Sequence, residues 1–443
     1  MKRLFKAKRV NDFDRKMREK YSLSSLSLIA KAAELALDVI REHVKGRKTV
    51  ILAGGGNNGA DGINLLLLMR KEALHADILF ISEAKSEENR KLRSLIPESC
   101  VVSTLSGYDV IVDAIYGASY HPPLLPAVRA ILDDANSLSS FRIALDVPSA
   151  YYFKADLTVT FTALKEEQYV PIAQSGEIIL CNPGFPSDEI EALKADSYLL
   201  EDSDYSARKF LFSDYKNTRG HLLMKAGSPS YKGASLLSAR AAFHSGCGLV
   251  TLNACDALSD IPLYYPPLIV RTGNVDYSAY QALLAGPGWA ECSDRSFLDF
   301  PGPMVLDADA LSMIERGDDF SYRAILTPHV GEMRRLCMRL CIEEDALSLS
   351  EALRAVVIKK ASTVEIAAKG ERYFYLGNNP SLGVAGSGDV LSGIIGAFLS
   401  SSMDPLEAAI SAVILHQKSG RAAHERLGYY DALDLIEEVG RKR

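Results

Sequence analysis

The stretch TVILAGGGNNGADG, residues 49–62, is the strongest indication of the fold in the first part of the chain. Its first five residues form a short apolar run, and a glycine-rich turn follows at once and leads into a helical pattern. An apolar strand, a glycine turn and a helix in this order are typical of the first unit of a doubly wound α/β sheet. Backbone N–H groups in such a turn can approach an anion at the N-terminus of the helix.

The residues after this stretch continue the same alternation. Further strands are predicted at residues 76–81, 109–115, 142–146 and 157–161, and helical patterns cover 24–44 and 62–71. The strand segments are almost continuously apolar, as expected for parallel strands that are covered on both faces. The alternation predicts right-handed crossover connections and a doubly wound parallel sheet.

A second series of strands begins after a charged stretch. Residues 184–220 contain no long apolar run, so we place a boundary there and predict domains at 1–205 and 206–443. In the second domain, a long helix from Asp389 carries its apolar residues at a 3.6-residue period, which predicts one buried face. Two unlike α/β domains are therefore expected. The strands predicted in the second domain are 221–225, 249–252, 282–285, 304–306, 324–326 and 356–358.

The composition excludes several functional classes. Fifty Lys and Arg residues against 56 Asp and Glu residues give a net charge of −6, which argues against a nucleic-acid partner. The seven cysteines are scattered and form no Cys-x-x-Cys pair, so neither a zinc site nor a disulfide framework is expected. The cationic N-terminus lacks the apolar segment of a signal peptide, and no stretch approaches the roughly 18–20 apolar residues of a membrane span. We expect a soluble, cytoplasmic protein without a membrane partner.

Polar side chains cluster at the predicted strand ends of the first domain. Asn57, Asn58 and Asp61 lie in the glycine-rich turn, and Asp113 and Asp146 end two later strands. Ligands bind at the carboxyl ends of strands in open α/β sheets, so these side chains are expected to converge. A helix cap or an ordinary loop position is the alternative for each single acid.

Three motifs of this domain resemble those of the NAD(P)H-hydrate epimerase domain: GNNGADG (56–62), VDAIYG (112–117) and DVPS (146–149). The resemblance covers about residues 10–185 and implies a Rossmann-like fold that interconverts the two epimers of hydrated NADH or NADPH. It also implies that Asn58, Asp113 and Ser149 hold a potassium ion and that Asp146 is the acid or base. The substrate-binding residues that it implies are Asn57, Asn58, Gly59, Ala60, Asp61, Gly117, Ala118, Ser119, Tyr120, His121, Pro122, Pro123 and Asp146.

This domain also departs from the epimerase pattern. Ala60 and Ala150 replace glycines, and Gly117-Ala118-Ser119 stands where the family has Gly-Thr-Gly. The segment that usually follows Ala150 is missing. A β-carbon at a point of close backbone approach disfavours catalysis. Two functions therefore stay open for this domain, an active epimerase or a structural domain that supports folding or assembly.

The second domain carries several glycine-rich loops at strand ends. In AGSGD (385–389), Gly386 and Gly388 free backbone amides at a helix N-terminus, where the helix dipole favours negative charge, and Asp389 stands beside them. In LTPHVGE (326–332), His329 follows a strand, and in VIKKAST (357–363) the ammonium of Lys359 can meet a phosphate. A capping Asp, a structural His and a solvated Lys are the alternatives.

These loops resemble, in order, the motifs of the NAD(P)H-hydrate dehydratase family, which has the ribokinase fold. The resemblance covers about residues 215–430 and includes GSPSYKGA (227–234), AGPGW (285–289) and DADAL (307–311). Together, the two domains resemble the joined arrangement of bacterial bifunctional NAD(P)H-hydrate repair enzymes. The main departure is Lys360, where the family usually has glycine.

The dehydratase resemblance implies a mechanism. The hydroxyl of the hydrated nicotinamide ring of the S epimer is phosphorylated, and the phosphate then leaves with help from the ring nitrogen. Asp389 would be the general base, and the amides of residues 386–388 would stabilise the transferred phosphoryl group. Ala234, Gly288, His329 and Asp389 would border the substrate. The nucleotide-binding residues that it implies are Lys359, Lys360, Ala361, Ser362, Thr363, Gly386, Ser387 and Gly388.

ADP is the expected phosphoryl donor, with ATP as the alternative, and Mg²⁺ is expected to assist. We also expect a homo-oligomer. A ribokinase-type kinase of a small alcohol is the rival enzyme, and a dehydratase with a purely structural N-terminal domain is the other alternative.

Overall fold

The computed structural model describes residues 1–120, 122–170, 174–207, 209–254, 258, 260–290 and 293–443. The chain forms two compact units. One comprises Arg3–Asp196, and the other comprises Ser197–Arg443 together with Met1–Lys2. Within the described ranges, no helix combines the length and the apolar character that crossing a bilayer requires.

A six-stranded parallel sheet forms the centre of the N-terminal unit. Its strands follow a short first strand, β1 (Lys2–Leu4), and are β2 (Thr49–Ala53), β3 (Ala76–Phe80), β4 (Val110–Ala114), β5 (Phe141–Leu145), β6 (Leu157–Phe161) and β7 (Glu177–Cys181). The strand order is β3-β2-β4-β5-β6-β7, so the chain changes its winding direction between β2 and β4. The crevice at the carboxyl ends of these two strands is where such a sheet binds ligands.

The helices of this unit are α1 (Ala7–Tyr21), α2 (Ser25–Val44), α3 (Asn57–Lys71), α4 (Glu87–Arg93), α5 (Pro126–Ser137) and α6 (Ser187–Glu191). The five predicted strands are confirmed. Strand β7 was not predicted; its residues are only partly buried or exposed. Helix α3 begins at Asn57, five residues before the predicted start, because the glycine turn ends at Gly56. Residues 57–61 therefore belong to a helix, whereas the sequence predicted a loop.

The C-terminal unit is built on a second, mostly parallel sheet. Its strands are β8 (Ser197–Leu199), β9 (His221–Lys225), β10 (Leu249–Asn253), β11 (Ile269–Arg271), β12 (Ala282–Ala285), β13 (Met304–Leu306), β14 (Ala324–Leu326), β15 (Val356–Lys359), β16 (Thr363–Ala368) and β17 (Glu371–Leu376). They lie in the order β8-β17-β16-β15-β14-β13-β12-β9-β10-β11. Strand β16 is antiparallel to both of its neighbours. The winding direction changes between β9 and β12, and the predicted glycine loops follow these two strands.

The helices of this unit are α7 (Lys232–His244), α8 (Asp309–Ser312), α9 (Val330–Leu340), α10 (Ala346–Leu353), α11 (Ser387–Ser400), α12 (Pro405–Leu427) and α13 (Ala432–Lys442). The prediction that the helix from Asp389 buries a single face is wrong, because every residue of α11 from Val390 to Ser400 is buried. Glycines allow this packing: a β-carbon at Gly393 would lie 2.3 Å from the carbonyl oxygen of Ser238 on α7.

The boundary between the units lies earlier than the one at 205/206 that the sequence suggested. Strand β8 pairs with β17, and Tyr198 stands opposite Tyr373. Residues 197–205 are therefore part of the C-terminal unit. A three-residue strand within a charged stretch is too short to show a periodic pattern, which is why the sequence did not reveal it.

Candidate active sites

The N-terminus of α11 presents an open glycine turn. Gly386 has a φ of +87°, and a β-carbon there would lie 2.5 Å from Leu237, so this position requires glycine. At Gly388, by contrast, the nearest atom to an added β-carbon would be Nζ of Lys360, at 3.5 Å. The first helical turn therefore faces a space in which its free N–H groups can bind an anion.

Asp389 stands in this first turn and is half-buried. Its pKa is raised to about 7 by burial and by the nearby carboxylate of Asp307, against the opposing effect of the Lys360 ammonium. Its backbone oxygen accepts a hydrogen bond from the Ser238 hydroxyl at 3.0 Å, which fixes this turn on α7. A carboxylate that titrates near neutral pH is well suited to take a proton from a substrate hydroxyl.

Asp307, in the loop after β13, forms a buried polar cluster with Lys360 and Ser392. Its two carboxylate oxygens accept hydrogen bonds from Nζ of Lys360 at 2.9 Å and from the Ser392 hydroxyl at 2.6 Å. Burial raises the pKa of Asp307, but Lys360 and Ser392 more than offset this and hold it below its ordinary value. Asp307 is therefore a carboxylate, and Lys360 is its counter-ion.

A cavity of about 650 Å³ opens beside the first turn of α11. It also contains His416, which the sequence had not singled out. Nε2 of His416 lies 3.0 Å from the backbone oxygen of Ser387, and burial lowers the pKa of this imidazole to about 4. The predicted site residues that line the cavity are His329, Lys360, Ala361, Ser362, Ser387 and Gly388.

Other members of the predicted nucleotide set lie outside this lining. The ammonium of Lys359 is 3.8 Å from Glu365, which is itself bonded to Arg372. Thr363 is buried in β16. Successive side chains of an extended segment point to opposite sides, so Lys360 reaches the cavity and Lys359 does not.

The predicted substrate residues of this domain occupy two places. Ala234 and Gly288 are in contact, because a β-carbon on Gly288 would lie 2.8 Å from that of Ala234. They meet where the loops after β9 and β12 adjoin, and Gly227 N–H donates to the Pro287 oxygen there. His329 borders the cavity and caps α9, since its Nδ1 accepts from the N–H of Gly331 at 3.0 Å.

A second cavity, of about 600 Å³, opens in the N-terminal unit at the crevice between β2 and β4. Gly59 and Ala60 are not among the residues that line it. Both are buried in α3, and a β-carbon at Gly59 would lie 2.0 Å from the Gly54 oxygen. Pro122 and Pro123 are exposed outside the cavity, and His121 lies outside the described residues. The predicted residues that line the cavity are Asn57, Asn58, Asp61, Gly117, Ala118, Ser119, Tyr120 and Asp146.

Asp146 projects into this cavity from the end of β5, with a φ of +69°. One carboxylate oxygen accepts from the N–H of Ala118 at 2.9 Å, and the other lies 2.7 Å from Nζ of Lys165. Lys165 is only 2% exposed, and its ammonium also donates to the Thr160 hydroxyl and the Phe161 oxygen. The lysine thus fixes the orientation of Asp146.

Two further carboxyl groups lie near this pair. Burial raises the pKa of Asp14, on α1, to about 6, although Lys165 opposes the shift. Burial and the charge of Asp146 raise the pKa of Asp61 well above its ordinary value. The sequence did not single out Asp14 or Lys165, because neither lies in a recognisable motif.

A second buried carboxylate, Asp113, lies at the end of β4. Its oxygens accept hydrogen bonds from the hydroxyl of Ser149 at 2.6 Å and from the backbone N–H of Ser149 at 2.7 Å. Burial raises the pKa of Asp113 to about 6. In Asn58, both polar side-chain atoms are buried without a hydrogen-bond partner among the described residues. Ala150 has a φ of +55°, in the region that favours the glycine of the epimerase pattern.

Two family models match the chain. The model described as NAD(P)H-hydrate dehydratase matches residues 222–441, and the model described as YjeF-related protein N-terminus matches residues 25–167.

Several curated relatives, each named bifunctional NAD(P)H-hydrate repair enzyme Nnr, are similar to the chain over most of its length. The relative from Escherichia coli K12 is 27% identical and aligns with 94% of this chain and 88% of its own. The relative from Moorella thermoacetica is 28% identical and aligns with 98% of this chain and 96% of its own. The relative from Mycobacterium tuberculosis H37Rv is 29% identical over 88% and 87%.

Among solved structures, an ADP/ATP-dependent NAD(P)H-hydrate dehydratase from Bacillus subtilis, co-crystallised with ATP and Mg²⁺, is similar to the chain. The two are 25% identical with a TM-score of 0.48, over 56% of this chain and 98% of the other.

Proposed function

This chain belongs to the bifunctional NAD(P)H-hydrate repair enzymes, and from this membership we propose a separate reaction for each of its domains. The C-terminal domain dehydrates the S epimer of hydrated NADH or NADPH with ADP as the phosphoryl donor. The N-terminal domain interconverts the R and S epimers. The observation that carries the first reaction is the position of Asp389, a carboxyl group with a pKa of about 7 beside the open first turn of α11.

The dehydration proceeds in two steps. Asp389 removes the proton of the ring hydroxyl, whose oxygen forms a bond to the terminal phosphorus of ADP while AMP leaves. The N–H group of Gly388, in the first turn of α11, holds a phosphoryl oxygen as negative charge builds up on it. Inorganic phosphate then departs with the C–O electron pair, assisted by the ring nitrogen. Loss of a proton from the neighbouring carbon restores the double bond of the reduced nicotinamide.

The Mg²⁺ that we expected does not fit the lining of the cavity. The described lining residues include no carboxylate, and both oxygens of Asp307 already accept hydrogen bonds. Mg²⁺ in nucleotide sites is usually held by one or two carboxylates in addition to phosphate oxygens. A magnesium ion in this site would therefore depend on the oxygens of the nucleotide.

For the N-terminal domain, the geometry favours epimerase activity over a structural role. Asp14 and Asp146 interact with the ammonium of Lys165, Asp61 interacts with Asp146, and all four side chains line one cavity. Burying carboxyl groups without full compensation destabilises a fold, and such clusters occur mainly where proton transfer is needed. A domain retained only for assembly has no use for them.

The proposed reactions can be tested with the mixed epimers of hydrated NADH and excess ADP. We expect the full-length chain to convert all of the substrate to NADH, measured as recovered absorbance of the reduced ring. With Asp146→Asn, NADH recovery should stop at a plateau equal to the fraction of S epimer in the mixture. This plateau should be reached in the time that the unmodified chain needs to consume the S epimer. A plateau in the unmodified chain would show that the N-terminal domain is not an epimerase. A stable phosphorylated alcohol without recovery of NADH would identify a small-alcohol kinase instead.

We further propose that Asn58, Asp113 and Ser149 bind a potassium ion. The observation that supports this proposal is the buried amide oxygen of Asn58, which has no hydrogen-bond donor among the described residues. Asp113 is a buried acid at the end of β4, and its oxygens also accept hydrogen bonds from Ser149. Hard oxygen ligands are those that such a cation prefers. The bound ion would supply a positive charge near the substrate loop 117–120.

Potassium should stabilise the chain measurably. At ten times its dissociation constant, a ligand that binds only the folded state adds about 1.4 kcal/mol to the free energy of unfolding. For a domain of this size, this raises Tm by about 3–6 °C. We expect this rise when KCl replaces choline chloride at constant ionic strength. Asn58→Leu should lose the response but remain folded. An equal rise in the variant would place the ion elsewhere.

A further inference from the structure

We infer that Lys360 is the built-in cation of the phosphate site, and that this domain therefore binds the terminal phosphate of its nucleotide without requiring Mg²⁺. The inference rests on the proposed function, because it assumes that a nucleotide occupies the cavity beside α11. It goes beyond that function by assigning the charge that holds the phosphate to one side chain.

The charges around the cavity single out Lys360. It is the one Lys or Arg among the described residues that line the cavity, and none of those residues is Asp or Glu. His416 adds no charge at neutral pH, since burial keeps its imidazole deprotonated. A nucleotide polyphosphate in this space meets one full positive charge from the protein, and Lys360 carries it.

The orientation of Lys360 points to an anion. Its Nζ lies 3.5 Å from the position of a β-carbon on Gly388, so the ammonium faces the first turn of α11. The free N–H groups of that turn also carry partial positive charge. Asp307 lies close to the same point, with Oδ2 3.9 Å from that β-carbon position. A phosphate placed beside this turn would meet both the ammonium and the turn's free N–H groups.

The ammonium retains donors for such an anion. A lysine has three N–H donors. Among the described residues, a single acceptor is bonded to Nζ of Lys360, the Asp307 carboxylate at 2.9 Å. Asp307 thus takes one of these donors, and two remain for phosphate oxygens.

Asp307 also explains why a lysine of the chain, rather than a cation from solution, supplies the positive charge at this site. Its carboxylate is buried, and an unpaired buried charge is strongly destabilising. With glycine at position 360, Asp307 would keep only the neutral hydroxyls of Ser392 and Thr327 as side-chain partners, and the balancing cation would have to come from solution. In this chain Lys360 always supplies that positive charge. Less negative charge, on Asp307 and on the phosphate, is then left for a magnesium ion to neutralise.

The experiment is to titrate ADP into the full-length chain by calorimetry, once with Mg²⁺ and once with EDTA. We expect the two dissociation constants of the unmodified chain to agree within about threefold. Loss of a charged hydrogen-bond donor weakens binding by about 10- to 100-fold. Lys360→Met should therefore lose this much affinity in EDTA, and Lys360→Arg should lose less. Lys359→Met is the matched control, because that lysine faces Glu365, and should bind like the unmodified chain.

The possible failures are distinguishable. If the unmodified chain binds no ADP in either buffer, the proposed function itself is wrong. If it binds ADP only with Mg²⁺, or if Lys360→Met binds as tightly as Lys359→Met, nucleotide binding stands and the role of Lys360 is wrong. The double variant Asp307→Asn/Lys360→Met removes both charges and guards against misfolding. The double variant should be folded and should bind ADP as weakly as Lys360→Met does. If it binds ADP in EDTA as tightly as the unmodified chain, the inference is wrong.

Discussion

Asp389→Asn should abolish dehydration and at the same time stabilise the chain at alkaline pH. Asparagine has the size of aspartate but cannot accept a proton from the substrate hydroxyl. Removing a general base typically lowers kcat by about 10²- to 10⁴-fold. The measurement is recovery of NADH from the S epimer with saturating ADP, for the variant and for the unmodified chain.

The stability change follows from the pKa of Asp389. That pKa is about 7 in the folded chain, raised by burial and by Asp307, whereas an unfolded Asp titrates near about 4. Between these two values the unfolded state loses its proton first, so stability falls as pH rises and levels off above pH 7. An asparagine at this position does not titrate and has no such loss. The Tm of the variant should therefore be several degrees higher than that of the unmodified chain at pH 8, since each kcal/mol corresponds to about 2–4 °C. At pH 4 the two Tm values should be nearly the same.

The pH dependence of catalysis gives a second, independent measure of the pKa of Asp389. In the unmodified chain, kcat/KM should be level above pH 7 and fall about tenfold per unit below it, because only the carboxylate is a base. Asp431→Asn is the control: it removes a charge at the N-cap of α13, where asparagine caps as well as aspartate. It should match the unmodified chain in rate and in pH profile. Turnover retained in Asp389→Asn, or a flat profile from pH 5 to 8, would refute the assignment of the base.

The sequence predicted the parts of both sites that depend on local order. A strand, a glycine turn and a helix follow one another within about 15 residues. The glycine motifs at 54–62 and 385–389 could therefore be placed at the start of a helix from the order of residues alone, although the first residue of the helix after Gly56 could not. The positions of Asp113 and Asp146 at the ends of β4 and β5 followed from the same rule.

Contacts between distant segments could not be predicted in this way. Lys165 and Asp14 are far apart in the sequence, and packing of α1 against the crevice brings them together. The choice between Lys359 and Lys360 depends on where β15 ends and on the backbone bond from Lys360 N–H to the Pro328 oxygen. A shift of one residue in that register would place the ammonium of Lys359, instead of that of Lys360, at the cavity. Two consecutive lysines contain no sequence signal that fixes the register.

The largest effect on stability is expected from Lys165→Met. The side chain is completely enclosed, and its ammonium lies 2.7 Å from the Asp146 carboxylate. Methionine fills the space but leaves Asp146 without its counter-ion. Breaking a buried ion pair in this way destabilises a protein by about 3–5 kcal/mol, a large part of the about 5–15 kcal/mol that holds a typical domain folded. Urea unfolding at pH 8, monitored by circular dichroism, measures the loss.

The pH dependence and a paired variant separate charge from packing. At pH 5 the carboxyl group of Asp14, whose pKa is about 6, is protonated and no longer needs the charge of Lys165, so the loss should be smaller than at pH 8. Lys165→Met/Asp146→Asn removes both partners of the pair and should regain part of the stability. Lys154→Met, at an exposed lysine of the same unit, is the control and should unfold like the unmodified chain. If Lys165→Met loses the same stability at both pH values and the double variant regains none, Lys165 acts through packing, and its role in orienting Asp146 by charge is wrong.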